Sequence, residues 1–179
     1  MKYRQVVVVD DQDRRLGLME IFAAHKDSGV MHRAISVLLH DAQGNVLLQQ
    51  RAATKPLWPL SWTNTVCTHP LDNEDYLDCA VRRLGEEMGI AISKDQLHTL
   101  YRFPYQATFN QQLSEHELDT VIVGKYHGRV HPDPKEAAAF KWVAWADLQQ
   151  DITHHPDIYT PWFKLIANHP QINSLFGQV

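Results

Sequence analysis

The segment between residues 72 and 90 carries a row of charged side chains at helical spacing. In order, they are Glu74, Arg82, Arg83, Glu86 and Glu87, followed by Gly89 and Ile90. A helix with this pattern can present carboxylates to a hard cation such as Mg²⁺. Arg83 and Glu87 are four residues apart and lie on one face. The alternative is a solvated helix with internal ion pairs, and the spacing alone favours that alternative.

A cysteine and a histidine lie two residues apart in the run Trp62–Pro70. If the run is a strand, Cys67 and His69 point to the same side, because alternate residues of a strand share a face. A thiol and an imidazole could then address one pocket. The other interpretation is a buried free cysteine beside a surface histidine, and the spacing does not decide between them.

Glu115 and Glu117 share a face in the same way if residues 114–119 are extended. Carboxylates that point the same way repel each other unless a cation or proton lies between them. Taken alone, however, the pair is more often just the polar start of a strand. His25 and His32 come just before a predicted strand, but the chain has eleven histidines and most must be unremarkable.

Strands and helices alternate along the chain and must position these groups. The pattern predicts strands at residues 3–9, 33–39, 45–50, 98–107, 117–127 and 140–143, and helices at 72–88, from Asp147 onward and at 161–168. Asp72 is the predicted N-cap of the helix at 72–88, and Gly89 its stop. The order predicts a mixed α/β fold in a single domain covering 1–179, with helices over a sheet.

Composition narrows the function classes. The 179 residues are 44% hydrophobic and 21% charged, and the formal net charge is −4. Proteins that bind nucleic acid or membrane surfaces usually have a basic bias, so neither partner is expected. The apolar run Val6–Val9 is too short for the hydrophobic region of a signal peptide, and we expect a cytoplasmic location. Any attraction for an anionic substrate must be local.

The charged segment resembles the Nudix box, a loop–helix–loop that binds diphosphate through divalent metal. The matching positions are Glu74, Arg82, Leu84, Glu86, Glu87, Gly89 and Ile90. Thr68 stands in place of the first glycine of the box, and Arg83 in place of a glutamate. In Nudix hydrolases that glutamate helps to hold the metals that activate water. Arg83 therefore argues for diphosphate binding without hydrolysis.

Four segments, in order over nearly the whole chain, resemble the type I isopentenyl-diphosphate isomerases of the Nudix superfamily. They contain His25 and His32, Cys67 and His69, the box, and Glu115 to Glu117. The resemblance implies a Nudix-like mixed β-sheet sandwiched between α-helices. It also implies isomerisation of isopentenyl diphosphate to dimethylallyl diphosphate, through a tertiary carbocation, in isoprenoid biosynthesis.

The resemblance further implies two cation sites and a diphosphate site. The ligands of one Mn²⁺, Mg²⁺ or Zn²⁺ are His25, His32, His69, Glu115 and Glu117. Glu87 would hold a Mg²⁺ that arrives with the diphosphate, and Arg51, Lys55 and Arg83 would bind the diphosphate itself. Related bacterial enzymes have a diphosphate-contacting lysine where this chain has Ile21, and Lys26 is one candidate to compensate.

Cys67 and Glu117 are the expected proton-transfer groups. We expect Glu117 to give the first proton, relayed through Tyr105, and Cys67 to remove the second as a thiolate. Trp162 would stabilise the carbocation with its ring face, by about 2 kcal/mol or more when desolvated.

Two other functions fit parts of the sequence: a Nudix diphosphate hydrolase, and a metal- or nucleotide-binding domain without catalysis. The hydrolase gives Cys67 and the three-histidine site no role, and the binding domain predicts metal binding without turnover. The expected partner is a small-molecule diphosphate, with no nucleic acid and no membrane, and the chain is expected to be a monomer or a homodimer.

Overall fold

The computed structural model describes residues 5–177, which form a nine-stranded mixed sheet with helices on both faces. The strands are β1 (Gln5–Val9), β2 (Arg15–Glu20), β3 (His32–His40), β4 (Asn45–Arg51), β5 (Trp62–Thr63), β6 (Val66–Thr68), β7 (Leu97–Thr108), β8 (Ser114–Lys125) and β9 (Ala137–Ala144). The α-helices are α1 (Ile21–Ala24), α2 (Tyr76–Met88), α3 (Trp145–His154), α4 (Pro161–Ala167) and α5 (Pro170–Phe176). Single 3₁₀ turns occupy Lys94–Gln96 and Pro156–Ile158.

Strand β3 organises the sheet. It pairs in parallel with β8 and antiparallel with β1, β4 and β6, while β7 extends the sheet beyond β8 and β9 beyond β4. The predicted sheet between helices is confirmed.

The ends of α2 follow from its capping residues. The Asp75 side chain accepts the backbone N–H groups of Leu77 and Asp78, so the helix begins at Tyr76. The prediction of Asp72 as the N-cap was wrong, because the Asp72 carboxylate instead accepts two hydrogen bonds from Arg15. Gly89 ends the helix as expected, with φ +61°.

The two faces of the sheet have separate cores. On one face, Leu84 and Met88 of α2 are fully buried with Ile35 of β3. On the other, Phe163 of α4 packs with Leu38 of β3. Complete burial of such a side chain contributes about 1.5–3 kcal/mol, and these cores fix the sheet beneath the site.

Several predicted boundaries were wrong. The strand expected at 117–127 begins at Ser114, so both glutamates lie within it, and helices α1 and α5 were not predicted. Residues 3 and 4 of the first predicted strand lie outside the described residues. Among residues 5–177, no helix has the length and apolar character needed to cross a bilayer.

Candidate active site

Three neighbouring strands place three polar side chains in one row. His32 of β3 is the register partner of Glu117 in β8, and Glu117 is in turn the partner of Tyr105 in β7. Register partners project from the same face of a sheet. The Tyr105 hydroxyl donates a hydrogen bond of 2.5 Å to Glu117 Oε2.

The loop after α1 is held against the start of β8. The Ser114 N–H donates to the His25 carbonyl at 2.9 Å, which places His25 beside Glu115. Gly29 makes this approach possible: its φ is +75°, and a Cβ there would lie 3.0 Å from the Cβ of His116 and 3.2 Å from the Ser114 carbonyl oxygen.

His69 follows β6, which pairs with β3 on the side away from β8. Its Nε2 lies 2.7 Å from Glu117 Oε1, and the Nε2 of His32 lies 3.5 Å from the same oxygen. An imidazole from β3 and one from the residue after β6 therefore converge on one carboxylate.

The five predicted ligands form one compact group. They offer ligand atoms that all lie within 4.8 Å of one another, and the centroids of the three imidazole rings are 4.8–5.5 Å apart. The members are His25, His32, His69, Glu115 and Glu117.

The donor set fits a divalent cation. The Nδ1 atoms of His25 and His32 are 2.6 and 2.7 Å from the carbonyl oxygens of Ile21 and Val30. If each Nδ1 donates to its carbonyl, each Nε2 keeps a lone pair directed at the group. The buried His25 Nε2 lies 2.7 Å from Glu115 Oε2, and the buried His32 Nε2 lies 3.5 Å from Glu117 Oε1. A proton or a cation between these atoms would satisfy them.

Without a bound cation, this group would hold a proton on His25. Burial lowers the pKa of His25, but the hydrogen bond to Glu115 and its negative charge outweigh burial and raise that pKa to about 9. Burial and the charge of Glu117 raise the pKa of Glu115. Burial lowers the pKa of His69 to about 3, which leaves that imidazole neutral and able to ligate.

We expect metal binding near neutral pH to release about one proton per site, because a metal-bound imidazole must be neutral. His25, with a pKa of about 9, is the group that loses it. Calorimetric titration with Mn²⁺ in two buffers of different ionisation enthalpy measures this number. The release should decline as the pH rises through about 9. Equal heats in both buffers at neutral pH would contradict the assignment.

A cavity of about 450 Å³ opens beside this group. Among its lining residues are ten of those predicted from the sequence to form the site: His25, Arg51, Lys55, Cys67, His69, Arg83, Tyr105, Glu115, Glu117 and Trp162. His32 is fully buried behind them. Proton-transfer candidates, cations and the metal group therefore share one space.

Glu87 does not line this cavity. Its Oε1 accepts two hydrogen bonds from Arg83, at 2.6 and 2.9 Å, and its Oε2 lies 3.4 Å from Gln49 Nε2. The carboxylate is buried behind the guanidinium. Lys26, the suggested replacement for the missing lysine at Ile21, also lies outside the cavity lining, whereas Ile21 is part of it.

Arg51 has a different environment from the other two cavity cations. Its guanidinium donates to the carbonyls of Leu57 and Trp58, and its Nη1 lies 3.5 Å from Cys67 Sγ. The guanidinium also lies 5.3 Å from the centroid of the Trp162 ring. Within the described part of the chain Arg51 forms no ion pair, so its charge is available to a ligand.

The two proton-transfer candidates have opposite protonation states. Burial raises the pKa of Cys67 to about 12, against the opposing effect of Arg51, so the sulfur carries a proton. Burial would raise the pKa of Glu117 as well, but hydrogen bonds from His32 and His69 lower it well below its usual value. Burial and Glu117 raise the pKa of Tyr105, which keeps its hydroxyl proton.

Trp162 is fixed by its neighbours. The ring is 3% exposed and packs edge-on against Trp58, with centroids 5.3 Å apart. Tyr105 lies 6.2 Å away on the cavity side.

Sequence reasoning missed two charged residues at this site. Glu136 pairs with both Lys55 and Arg83, and Asp119 lies buried two residues beyond Glu117, where it accepts a hydrogen bond from Ser36. The alternation along β8 could have revealed Asp119. No pattern in the sequence singles out Glu136.

Comparison with known proteins gives consistent matches. A family model described as the NUDIX domain matches residues 30–163. The isopentenyl-diphosphate Delta-isomerase of Nocardia farcinica is 41% identical over 157 residues, covering 88% of this chain and 89% of that protein. The isopentenyl-diphosphate Delta-isomerase of Photobacterium profundum is 39% identical over 178 residues, covering 97% of each.

Solved structures share the fold. The protein DR0079 of Deinococcus radiodurans superposes with a TM-score of 0.72 at 17% identity, over 91% of this chain and 97% of that one. A MutT NUDIX hydrolase from Burkholderia pseudomallei gives a TM-score of 0.61 at 19% identity, over 78% and 98%. At these identities the likeness concerns the fold alone.

Proposed function

Because the chain belongs to the isopentenyl-diphosphate Delta-isomerase family and carries a NUDIX domain, we propose that it converts isopentenyl diphosphate to dimethylallyl diphosphate for isoprenoid synthesis. One observation carries the proposal. A thiol, a carboxylate with its tyrosine, three cations and four of the five residues of the three-histidine, two-glutamate group border the same cavity.

The cations Arg51, Lys55 and Arg83 bind the diphosphate in this proposal. Guanidinium groups match the geometry of phosphate oxygens, and a lysine adds a point charge. They provide the local attraction that a chain with a net charge of −4 needs. A Mg²⁺ bound with the diphosphate could reach Glu87 only after Arg83 moves away from it.

The five-carbon chain then lies between Cys67 and Glu117. We propose that the Cys67 thiol protonates the terminal carbon, while the Arg51 guanidinium 3.5 Å away stabilises the thiolate that forms. Glu117, aided by Tyr105, removes a proton from the neighbouring methylene. This order is the reverse of the one expected from the sequence, and it follows from the protonation states of the two groups.

The metal group orients Glu117 in this scheme. His25, His32, His69, Glu115 and Glu117 would hold Mn²⁺, Mg²⁺ or Zn²⁺, and the bound cation would fix the carboxylate and keep it ionised. The five side chains already converge, so binding of the cation would need little rearrangement.

The tertiary carbocation requires a cavity that excludes water and has an aromatic ring in its lining. Trp162 is buried, and its ring already has a guanidinium 5.3 Å from its centroid, so the ring can accept a cation nearby. The apolar side chains of Ile21, Phe22 and Leu57 border the same cavity. They exclude water, which would otherwise trap the cation as an alcohol.

Product analysis tests the proposal. Purified protein is incubated with isopentenyl diphosphate, Mg²⁺ and Mn²⁺, and dimethylallyl diphosphate and released phosphate are followed by mass spectrometry. Dimethylallyl diphosphate is the expected product. Released phosphate in its place would identify a hydrolase, and unchanged substrate would reject both activities.

The contacts within α2 argue against hydrolysis. Arg82 pairs with Glu74 and Glu86, and Arg83 pairs with Glu86 and Glu87. The carboxylates of the box are thus neutralised by arginines, and these contacts compete with the metal coordination that activates water.

Replacing Ile21 with lysine should strengthen substrate binding. Ile21 lines the cavity, and a lysine there would add a donor for the diphosphate at a position that has no cation. We expect KM to fall by about 3- to 10-fold, since one partly exposed charge-assisted contact is worth roughly 1 kcal/mol. Steady-state kinetics of the variant measure the effect, with Ile21→Met as a control for side-chain length. An unchanged KM would place the diphosphate away from α1.

The cytoplasmic location, the single domain over residues 1–179 and the monomeric or homodimeric state stay predictions.

A further inference from the structure

Glu136 is a carboxylate that bridges two cations of the cavity. One of its oxygens, Oε2, forms a close ion pair with Lys55 Nζ, and the other, Oε1, lies 3.4 Å from Arg83 Nη2. Lys55 and Arg83 border the cavity, whereas Glu136 does not. Each oxygen thus holds one cation from behind.

The backbone fixes Glu136 where this bridge forms. The Ala52 N–H donates to the Glu136 carbonyl at 3.0 Å, and the Glu136 N–H donates to the Asp133 carbonyl at 2.9 Å. The next residue, Ala137, pairs with Arg51 where β4 and β9 shift register. The bridge therefore has a fixed base beside the end of β4, the strand that leads into the loop with Lys55.

Glu136 is ionised in the folded protein. Burial raises its pKa, but the hydrogen bond and charge of Lys55, with a further effect of Arg83, lower that pKa below its ordinary value. The carboxylate is half-buried, so solvent screens these pairs only in part.

We propose that Glu136 is a positioning residue for the diphosphate subsite, holding Lys55 and Arg83 at a fixed spacing before the substrate arrives. The proposal deepens the function proposed above and rests on it for the identity of the diphosphate. It assigns no proton transfer and no contact with the reacting carbons to Glu136.

The side chains explain why such a residue is needed. A lysine has four rotatable bonds, and ordering its side chain on binding costs about 0.5–1.5 kcal/mol, roughly a 2- to 10-fold change in affinity. The ammonium of Lys55 has three donors, so the bridge leaves some of them for a phosphate. Arg83 is held by Glu86 and Glu87 as well, and it needs Glu136 less than Lys55 does.

The negative charge of Glu136 also has an opposing effect, because it repels an anionic ligand. Positioning is expected to outweigh repulsion, since each carboxylate oxygen is already occupied by a cation. Removal of the side chain would weaken binding of the anionic ligand if positioning dominates, and would strengthen it if repulsion dominates.

The test uses the full chain and inorganic pyrophosphate with Mg²⁺, which needs no turnover. We expect Glu136→Ala to weaken pyrophosphate binding by about 10-fold in calorimetry, the upper end of the ordering cost. It should raise KM for isopentenyl diphosphate by a similar factor, with kcat changed less than about 2-fold. Glu136→Gln, whose amide oxygen still accepts from Lys55, should show a smaller loss of the same sign.

Asp133→Asn is the matched control. Asp133 lies in the same segment, accepts a hydrogen bond from the Lys135 N–H, and forms no ion pair among residues 5–177. It should leave both constants unchanged. Thermal melting shows whether each variant is folded. If Glu136→Ala is not folded, the binding constant of Glu136→Gln, which keeps the shape of the side chain, tests the proposal instead.

Three results would overturn the proposal: tighter pyrophosphate binding in either Glu136 variant, unchanged binding in a folded Glu136→Ala, or a lower kcat with an unchanged KM. Failure of the wild-type protein to isomerise would reject the proposed function alone, since pyrophosphate binding by the variants still tests the bridge.

Discussion

We expect Cys67→Ala to lower kcat for isopentenyl diphosphate by about 10²- to 10⁴-fold, the contribution usual for a positioned acid or base, and to leave pyrophosphate binding nearly intact. The sulfur borders the cavity and carries its proton, with a pKa raised to about 12, and the Arg51 guanidinium lies 3.5 Å away. Alanine removes the proton donor and its contact with Arg51, but it leaves the cavity cations and the predicted metal ligands themselves in place. Steady-state kinetics and calorimetry separate the two effects.

The chain provides its own control in the second cysteine. Cys79 is fully buried in the core between α2 and the sheet, and it does not line the cavity. Cys79→Ala should cost about 1 kcal/mol of stability through a small cavity while kcat is retained. Equal loss of kcat in both variants, or full activity in Cys67→Ala, would remove Cys67 from the mechanism.

Glu117→Gln is expected to lower kcat by about 10³-fold or more, because one carboxylate serves both the metal group and proton transfer. Its Oε1 lies 2.7 Å from His69 Nε2, and its Oε2 accepts the Tyr105 hydroxyl at 2.5 Å. Glutamine keeps the shape of the side chain but removes its charge and its basicity. Metal affinity should weaken by at least about 10- to 100-fold, which is the usual cost of disturbing even an outer partner of a ligand.

Two comparisons make this result specific. Glu115→Gln removes a predicted ligand but keeps the Tyr105 contact with Glu117, so its loss of activity should be partly recovered at high Mn²⁺ while that of Glu117→Gln is not. His116→Gln changes an imidazole between the two glutamates, on the other face of β8, where it contacts the Gly29 carbonyl. It should bind metal normally. Recovery of Glu117→Gln by metal would mean that Glu117 is a ligand only.

The five side chains that converge in the structure were predicted as ligands from the resemblance, because the spacing of Glu115 and Glu117 taken alone favoured an ordinary strand start. Glu115 and Glu117 alternate on a strand, and alternation survives small errors in the strand boundary. The first turn of α2 was harder, since Asp72 and Asp75 are both good caps and only the fold decides which one lies next to Arg15.

Other features depend on long-range packing and have no local signature. Glu87 was expected to hold a Mg²⁺ that arrives with the diphosphate, but its two oxygens contact Arg83 and Gln49, a residue of β4. The bridge joins Glu136 to Lys55, which is 81 positions away in sequence, and no periodic pattern of residues predicts such a contact. The protonation state of Cys67 is beyond the reach of sequence patterns for the same reason, because burial of Cys67 is a property of the assembled cavity.

The parallel pairing of β3 with β8 also bears on how the chain acquires its metal. Ser36 and Asp119, in these two strands, are 83 positions apart. The three histidines are synthesised before the two glutamates of β8, so a nascent chain that ends before β8 has only three of the five predicted ligands. Pairings of such high sequence separation form slowly. Metal binding should therefore follow folding. An ion that bound the three histidines earlier would either dissociate or gain the two glutamate ligands when β8 pairs with β3.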